Sequence, residues 1–259
     1  MNDLEAYFNN NQGRVIHKWK HYFDVYDRHF KKYRNLKTEV VILEIGVSFG
    51  GSLQMWKSYF GDNVKIYGID VNPECKKLET EDIKIFIGSQ SDRDFLRKIK
   101  AKIPPIDILI DDGGHTMKQQ IVTFEEMFDH IKTDGVYLCE DIHTSYWLKF
   151  GGGYKRRGTF IEYSKKFIDY INSWHSEQRT LKVNNFTKTV ASLHYYDSIL
   201  VIEKQKMIPP SEHRSGKREF EFSSPKLNFF QKAIKKIERH SLYFINSLLR
   251  ILRLPSIKW

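Results

Sequence analysis

The sequence predicts an α/β fold of the doubly wound kind, and three observations carry that expectation. Five apolar segments rich in β-branched residues read as strands buried on both faces. Helical patterns separate most of them, as parallel strands require. A late strand pair offers the antiparallel edge that often closes such a sheet. The chain of 259 residues, 41% hydrophobic and 29% charged, is long enough to bury a full core. That composition excludes a disordered or collagen-like chain.

The elements follow in order. Val40–Ile45 is the first strand, followed by Gly46, Gly50 and Gly51 and a helix from Ser52 to Tyr59. Val64–Asp70 and Ile83–Gly88 are the second and third strands. A helix over Ser91–Ala101 has Asp92 and Asp94 near its positive end. Ile106–Asp112 is the fourth strand, Met117–Ile131 a helix and Gly135–Asp141 the fifth strand. Thr159–Trp174 reads as one helix, and Val190–Tyr196 with Ser198–Glu203 as the closing strand pair around Asp197. The expected divisions are a helical N-terminal extension over 1–38, the α/β domain over 39–205 and a basic tail over 206–259.

The net charge of +10 is unevenly spread: +4 on residues 1–38, −2 on 39–205 and +8 on 206–259. A nucleic-acid enzyme usually carries its basic surface around the active site, so a near-neutral middle argues against one. No apolar run approaches the ~18 residues of a spanning helix. The first residues lack the basic-then-apolar order of a signal peptide. Cys75 and Cys139 have no CxxC spacing and read as reduced thiols. The expected location is the cytoplasm.

In a doubly wound sheet, ligands bind outside the carboxyl ends of the strands. Glu44, Asp70, Asp111, Asp112, Glu140 and Asp141 all fall at those ends. Packed carboxylates repel one another, so something positive should lie between some of them. The loop from Glu44 to Ser52 brings glycine backbone against a ligand, but Ser48 stands where the dinucleotide fingerprint needs its middle glycine. Asp70, about 25 residues further on, can accept both hydroxyls of a ribose. An adenosine ligand without a pyrophosphate follows. S-adenosylmethionine suits the acids better than NAD, because Glu44 and Asp111 repel a pyrophosphate and suit a cationic ligand.

Five motifs then form an ordered set: Glu44-Ile45-Gly46 with Gly50-Gly51-Ser52, Tyr67-Gly68-Ile69-Asp70, Gly88-Ser89-Gln90-Ser91-Asp92, Asp111-Asp112-Gly113-Gly114-His115, and Glu140-Asp141-Ile142-His143-Thr144-Ser145-Tyr146-Trp147. The set resembles class I S-adenosylmethionine-dependent methyltransferases, and within them the metal-dependent sugar O-methyltransferases of macrolide biosynthesis, of the mycinamicin and tylosin type. The resemblance covers roughly residues 39–205. It implies a Rossmann-like seven-stranded sheet with an antiparallel last strand, and a methyl transfer to a hydroxyl of a sugar or glycan-type molecule.

Asp112, Glu140 and Asp141, on neighbouring strand ends without a cysteine cluster, favour a hard divalent ion, Mg²⁺ first, with Mn²⁺ or Ca²⁺ as alternatives. The resemblance places its metal on the same three positions. It also places a general base at His115, where a neutral imidazole can take the acceptor hydroxyl's proton. The other reading of His115 is a helix cap or a residue that holds a metal ligand. His143 is assigned to orienting substrate or a ligand. Tyr146 and Trp147 are assigned to a wall beneath a sugar ring, with core packing as the alternative. Glu44, Gly46, Ser52, Asp70, Ser89, Gln90 and Asp111 are assigned to the cofactor.

Residues 148–158 are glycine-rich and basic, and read as a lid or a solvated loop, with Lys155, Arg156 and Arg157 available to an anionic substrate. Beyond Pro209-Pro210 the tail reads as a basic amphipathic helix pair or one bent helix, with charges at Lys232, Lys235, Lys236, Arg239, Arg250 and Arg253. Packing on its own domain or on a second copy is one expectation for it. The other is contact with the inner face of a membrane, where a surface polysaccharide is assembled. No nucleic-acid partner is expected. The competing functions are a nucleic-acid methyltransferase, favoured by the high pI, and an oxidative relative of the cephalosporin hydroxylase type.

Overall fold

The computed structural model describes residues 1–220, 227–252 and 254–257; Pro225 and Arg253 of the tail lie outside the described residues. Met1–Pro210 and Ser211–Trp259 are two separate units.

The first unit is built on seven strands: β1 (Val40–Ile45), β2 (Val64–Asp70), β3 (Ile83–Ile87), β4 (Ile106–Asp111), β5 (Ile131–Cys139), β6 (Val190–Tyr196) and β7 (Ile199–Lys204). They lie in the order β3-β2-β1-β4-β5-β7-β6. The first five are mutually parallel, and β7 runs antiparallel to both β5 and β6. This is the Rossmann-like sheet with an antiparallel last strand that the sequence predicted. The central strands β1 and β4 are short and apolar because they are buried on both faces, every one of their residues being buried, whereas the edge strands β3 and β6 are partly exposed.

Helices α1 (Asp3–Asn9), α2 (Tyr22–Phe30) and α3 (Gly51–Phe60) cover one face, where Leu4, Phe23, Tyr26, Trp56 and Phe60 pack on Ile42 and Ile108. Helices α4 (Arg93–Lys100), α5 (Met117–Met127), α6 (Phe160–Ser164), α7 (Lys166–Ile171) and α8 (Asn185–Thr189) cover the other, where Leu96, Phe124, Phe167 and Phe186 meet Leu43 and Leu109. The helix expected over Thr159–Trp174 is divided into α6, α7 and a 3-10 turn at Ser173–His175. At the first break the Ser164 hydroxyl donates to the Ile161 carbonyl, competing with the regular backbone ladder.

The chain leaves β1 towards β2 and β3 on one side, and later enters β4 and β5 on the other. The crevice therefore opens between β1 and β4. Backbone bonds align the strand ends there. Gly46 N–H donates to Ile69 O (2.8 Å), Asp112 N–H to Ile45 O (2.9 Å) and Glu140 N–H to Asp111 O (2.9 Å). The acids that follow each strand are thereby brought to one rim. Gly46 has φ +95°, and a Cβ added there would stand 2.0 Å from the Asp112 carbonyl, so only glycine lets β1 turn this close to β4.

The N-terminal residues belong to this unit. Between α1 and α2 the chain crosses α3 as an irregular strap, held by Arg14 N–H on Gln54 Oε1 (3.0 Å) and Arg14 Nη1 on the Leu78 carbonyl (3.3 Å). Gly51, at the start of α3, makes room for it: a Cβ would lie 2.3 Å from the Val15 carbonyl.

Among the described residues of the second unit a single helix, α9 (Phe229–Ile251), stands where a helix pair or a bent helix was expected. Asn228 caps it reciprocally with Gln231, and no proline or glycine interrupts its 23 residues. Among the described residues no helix is long and apolar enough to cross a membrane.

Candidate active site

Two cavities adjoin at the carboxyl ends of β1 and β4. The smaller, of about 220 Å³, is lined by Ile69, Asp70, Val71, Gly88, Gln90 and Gln119 among others. The larger, of about 440 Å³, is lined by the strap residues Val15–Trp19, by Tyr22, and by Ser52, His115, Glu140 and Asp141. Gly46, Ser48, Asp112 and Gly113 line both.

In the smaller cavity, Asp70 holds the glycine loop. Its Oδ2 accepts the N–H groups of Val47 and Ser48 (2.9 Å each), and its Oδ1 that of Asn72 (2.8 Å). Gln90 donates from Nε2 to Asp111 Oδ1 (2.9 Å) and accepts from Gly114 N–H at Oε1 (2.7 Å). It thus ties the loop after β3 to the loop after β4. Glu44 and Asp111 are buried behind these walls rather than in them. Ser52 donates to Glu44 Oε2 (3.0 Å), while Glu44 Oε1 and Asp111 Oδ2 are buried without a partner. Burial pushes both carboxyls up to about 7. Ser89 bonds Ser91 in the turn after β3 (2.9 Å).

Asp112, Glu140 and Asp141 all line the larger cavity, along with groups that no sequence motif announced, but Glu140 is taken up by Lys18 and the donors close enough to share one ion are Asp112, Asp141 and His115. The Lys18 ammonium donates to Asp112 Oδ2 (2.5 Å) and to both oxygens of Glu140 (2.8 and 2.9 Å). Tyr26 donates to Glu140 Oε1 (2.7 Å), and Tyr22 to Asp141 Oδ1 (2.6 Å). The Lys18 side chain is only 3% exposed. Burial alone would lower its pKa, but Asp112, Glu140 and Glu44 raise it above the ordinary lysine value, so it stays charged. The positive charge expected among the acids is therefore partly supplied by the N-terminal extension. Its one signal in the sequence is the spacing of Tyr22 and Tyr26, four residues apart on one helical face.

The remaining oxygens face His115. Its Nε2 lies 3.7 Å from Asp112 Oδ1 and 3.6 Å from Asp141 Oδ2, and the candidate donor atoms of these three residues all lie within 4.8 Å of one another. Hard carboxylate oxygens at that spacing, left unbonded by Lys18 and Tyr22, fit a divalent cation. His115 is mostly buried, its Nδ1 has no partner, and burial holds its pKa below the usual imidazole value against the pull of Asp112 and Asp141. Ser48 (φ +50°), His115 (φ +55°) and Asp141 (φ +52°) all sit in the left-handed region, which side-chain-bearing residues seldom adopt. Such strain concentrates at sites that need a group aimed in one direction. The Thr144 hydroxyl bonds both the His115 carbonyl (2.8 Å) and the Asp141 carbonyl (2.9 Å), locking the two turns together.

His143 lies at the rim, its Nδ1 bonded to Ser198 Oγ, with Trp19 edge-on to its ring and the Trp147 ring 4.6 Å away. Tyr146 and Trp147 are 52% and 44% exposed, so they are surface groups and not core. The glycine-rich loop after them is tied down: Gly152 and Gly153 N–H donate to the Trp147 and Ser145 carbonyls (3.0 and 2.8 Å). Tyr154, next in sequence, is exposed.

Residues 43–142 match the family model described as a methyltransferase domain, and the Rossmann-like sheet with its antiparallel last strand is the methyltransferase fold. The chain is similar to sugar O-methyltransferases. It is 35% identical over 190 residues to mycinamicin VI 2''-O-methyltransferase of Micromonospora griseorubida, and 34% identical over 190 residues to demethylmacrocin O-methyltransferase of Streptomyces fradiae. In each case the match takes in 69% of this chain and 47% of the relative, so the chain spans about half their length. The MycE methyltransferase of the mycinamycin pathway, solved in complex with Mg, SAH and mycinamycin VI, superposes with a TM-score of 0.68 at 32% identity, over 79% of this chain and 53% of that one.

Removing the Lys18 charge leaves Glu140 buried beside Asp112 with only Tyr26 to answer it. Lys18→Met is expected to cost about 3–5 kcal/mol of stability in metal-free buffer, the scale for breaking a buried ion pair on one side. Chemical denaturation of both proteins at neutral pH measures it, and a loss within the error of the wild-type value would refute the pairing.

Proposed function

We propose that this chain transfers the methyl group of S-adenosylmethionine to a hydroxyl of a sugar-containing small molecule or glycan, with a divalent cation, Mg²⁺ in the first instance, at the acid cluster. The observation that carries the reading is the shared wall of the two cavities. A ligand reaching from Asp70 past Gly46 and Gly113 ends beside Asp112 and His115, where a second ligand can enter from the larger cavity. The similarity to sugar O-methyltransferases, and to a structure holding Mg and SAH, supports the same assignment.

In this reading Asp70 accepts the ribose hydroxyls, Gln90 and Gly88 border the adenine, and the loop from Gly46 to Ser52 follows the amino-acid part. Asp112 and Asp141 would hold the cation, with Glu140 the third acid of the cluster and the partner of Lys18. Bound there, the cation would lower the pKa of the acceptor hydroxyl. His115, neutral because it is buried, takes that hydroxyl proton at Nε2, and a ring protonated at Nδ1 has its lone pair there. Tyr22 and Thr144 fix Asp141, so base and acid keep their mutual direction. Trp19, His143 and Trp147 form an aromatic rim, the kind of surface on which a sugar ring rests.

The direct test is formation of S-adenosylhomocysteine from candidate sugar-bearing acceptors, with and without EDTA. Turnover is expected to vanish on chelation and to return with Mg²⁺, and Asp141→Asn to be folded and inactive. Full turnover of a sugar-bearing acceptor in metal-free buffer would refute the metal role, and turnover of nucleic acid alone would favour the nucleic-acid alternative.

His115→Ala is expected to lower kcat by about 10²–10⁴, the range for a positioned acid–base group, with little change in S-adenosylmethionine affinity. The wild-type rate should rise with pH as His115 loses its proton. Because burial lowers its pKa, that limb should lie below the ordinary imidazole midpoint of about 6.5. The limb should be absent from the variant. The same limb in both pH–rate profiles would make His115 a positioning residue.

The tail extends the reading to location. On α9 the exposed Phe230, Ile234, Ile237, Phe244 and Leu248 form one stripe, and Lys232, Lys235, Lys236, Arg239 and Arg250 lie on the opposite face. A basic helix of this kind fits the interface of an anionic membrane, each cation adding about 1 kcal/mol near the surface. A glycan assembled at such a surface is the acceptor this location would present. Sedimentation with anionic vesicles should carry down the full chain and leave Ile237→Asp with Phe244→Asp in solution. Equal recovery with neutral and anionic vesicles, or a tail-dependent oligomer without vesicle binding, would refute it.

A further inference from the structure

The face of α2 that reaches the acid cluster carries a third group one turn further on. Tyr22, Tyr26 and His29 follow one another at four and three residues, one stripe of the helix. His29 is 3% exposed, and it meets the closing strand pair rather than the crevice. Its Nδ1 lies 2.9 Å from Glu203 Oε1 on β7, and its Nε2 lies 2.8 Å from the Tyr196 hydroxyl on β6. His194, two residues before Tyr196 and so on the same face of β6, brings Nε2 to 3.4 Å from Glu203 Oε2. The candidate ligand atoms of His29, His194 and Glu203 all lie within 4.8 Å of one another.

We infer that His29, His194 and Glu203 form a second metal site, of the zinc type, separate from the acid cluster. Two imidazoles and one carboxylate form a donor set suited to Zn²⁺, where the acid cluster, richer in hard oxygens, suits Mg²⁺. The surroundings are those of a built site. A metal-bound imidazole needs an acceptor for its other nitrogen, and the Tyr196 hydroxyl supplies one to His29. The Ser192 hydroxyl donates to Glu203 Oε2 (2.9 Å) and lies 2.9 Å from His194 Nε2, so it positions both side chains and is the contact an ion at His194 would displace. Burial lowers the His29 pKa, so the ring is neutral and can bind at neutral pH. His194 and Glu203 are 35% and 31% exposed at the side chain, which leaves an entry path for an ion.

The ligands come from α2, β6 and β7, so an ion here clamps the N-terminal extension to the edge of the sheet. Tyr22 and Tyr26 on the same helix bond Asp141 and Glu140, and Lys18 precedes it by four residues. A cation at His29 therefore steadies the groups that neutralise the acid cluster, without touching the cavity.

The test uses the full chain carrying Asp112→Asn and Asp141→Asn, which silences the other cluster. Co²⁺ is expected to bind with the intense visible absorption of a four-coordinate site, Zn²⁺ to displace it one for one and raise Tm, and Mg²⁺ to do neither. His194→Ala and, separately, Glu203→Gln should each weaken Zn²⁺ at least tenfold and remove the absorption. His194→Gln serves as the second variant if the alanine protein unfolds, with circular dichroism as the check. In the otherwise wild-type chain, His194→Ala should leave methyl transfer unchanged in Mg²⁺ without added Zn²⁺, where the site is empty in both proteins. Absence of the Co²⁺ spectrum, or equal Zn²⁺ affinity with and without His194, would overturn the site. So would binding that disappears only with His115→Ala, since it would move the ion to the acid cluster.

Discussion

Carboxylates gathered at the ends of parallel strands repel one another, and the Lys18 ammonium is what lets Asp112 and Glu140 stand side by side. Two unit charges 4 Å apart interact by about 4 kcal/mol at an effective dielectric constant of 20, a large fraction of a domain's stability. The Lys18 side chain reaches both acids while almost wholly buried, and Tyr22 and Tyr26 add hydroxyl donors to the same cluster. Much else follows. The strap must cross α3, which requires Gly51, and α2 must lie along the sheet, which buries Phe23, Tyr26 and Phe30. The extension is thus both the lid of the core and the counter-charge of the site.

The second constraint is backbone strain. Six side-chain-bearing residues have a clearly positive φ among the described residues, and four of them, Ser48, His115, Asp141 and Ser198, surround the crevice. Ser198 holds His143, and Thr144 bridges the turns of His115 and Asp141. Strain of roughly 1–3 kcal/mol per residue persists only where neighbouring bonds over-determine the conformation. Here those bonds are the strand-end ladder at Gly46, Asp112 and Glu140 and the side-chain ties above it. The result is an acid cluster whose directions are set before any ligand arrives.

The relatives give this arrangement a context of size. The chain matches about half the length of the sugar O-methyltransferases it resembles, and residues 43–142, which match the methyltransferase domain model, hold the acid-bearing turns. The basic tail is a separate unit, amphipathic along its whole helix.

By itself, the sequence determined what depends on local pattern. Runs such as Val40–Ile45 have one stable use, a strand buried on both faces, and the acids that end such runs must collect at one rim because parallel strands share a direction. The sheet, its antiparallel closure and the meeting of Asp112, Glu140, Asp141 and His115 were legible for that reason. The tertiary structure alone decided which assigned residues reach open space. Glu44 and Asp111 lie behind the cavity walls because Ser52 and Gln90 fill the nearer positions, and Asp70 is engaged by the loop it faces. It alone placed Lys18 among the acids, since a lysine 94 residues from Asp112 has no periodicity or motif that points to it. It also joined His29 to His194 and Glu203, three residues whose proximity arises only when α2 packs on the closing hairpin. Local pattern reports which face of an element is apolar, whereas a buried charge finds its partner through the packing of elements remote in sequence.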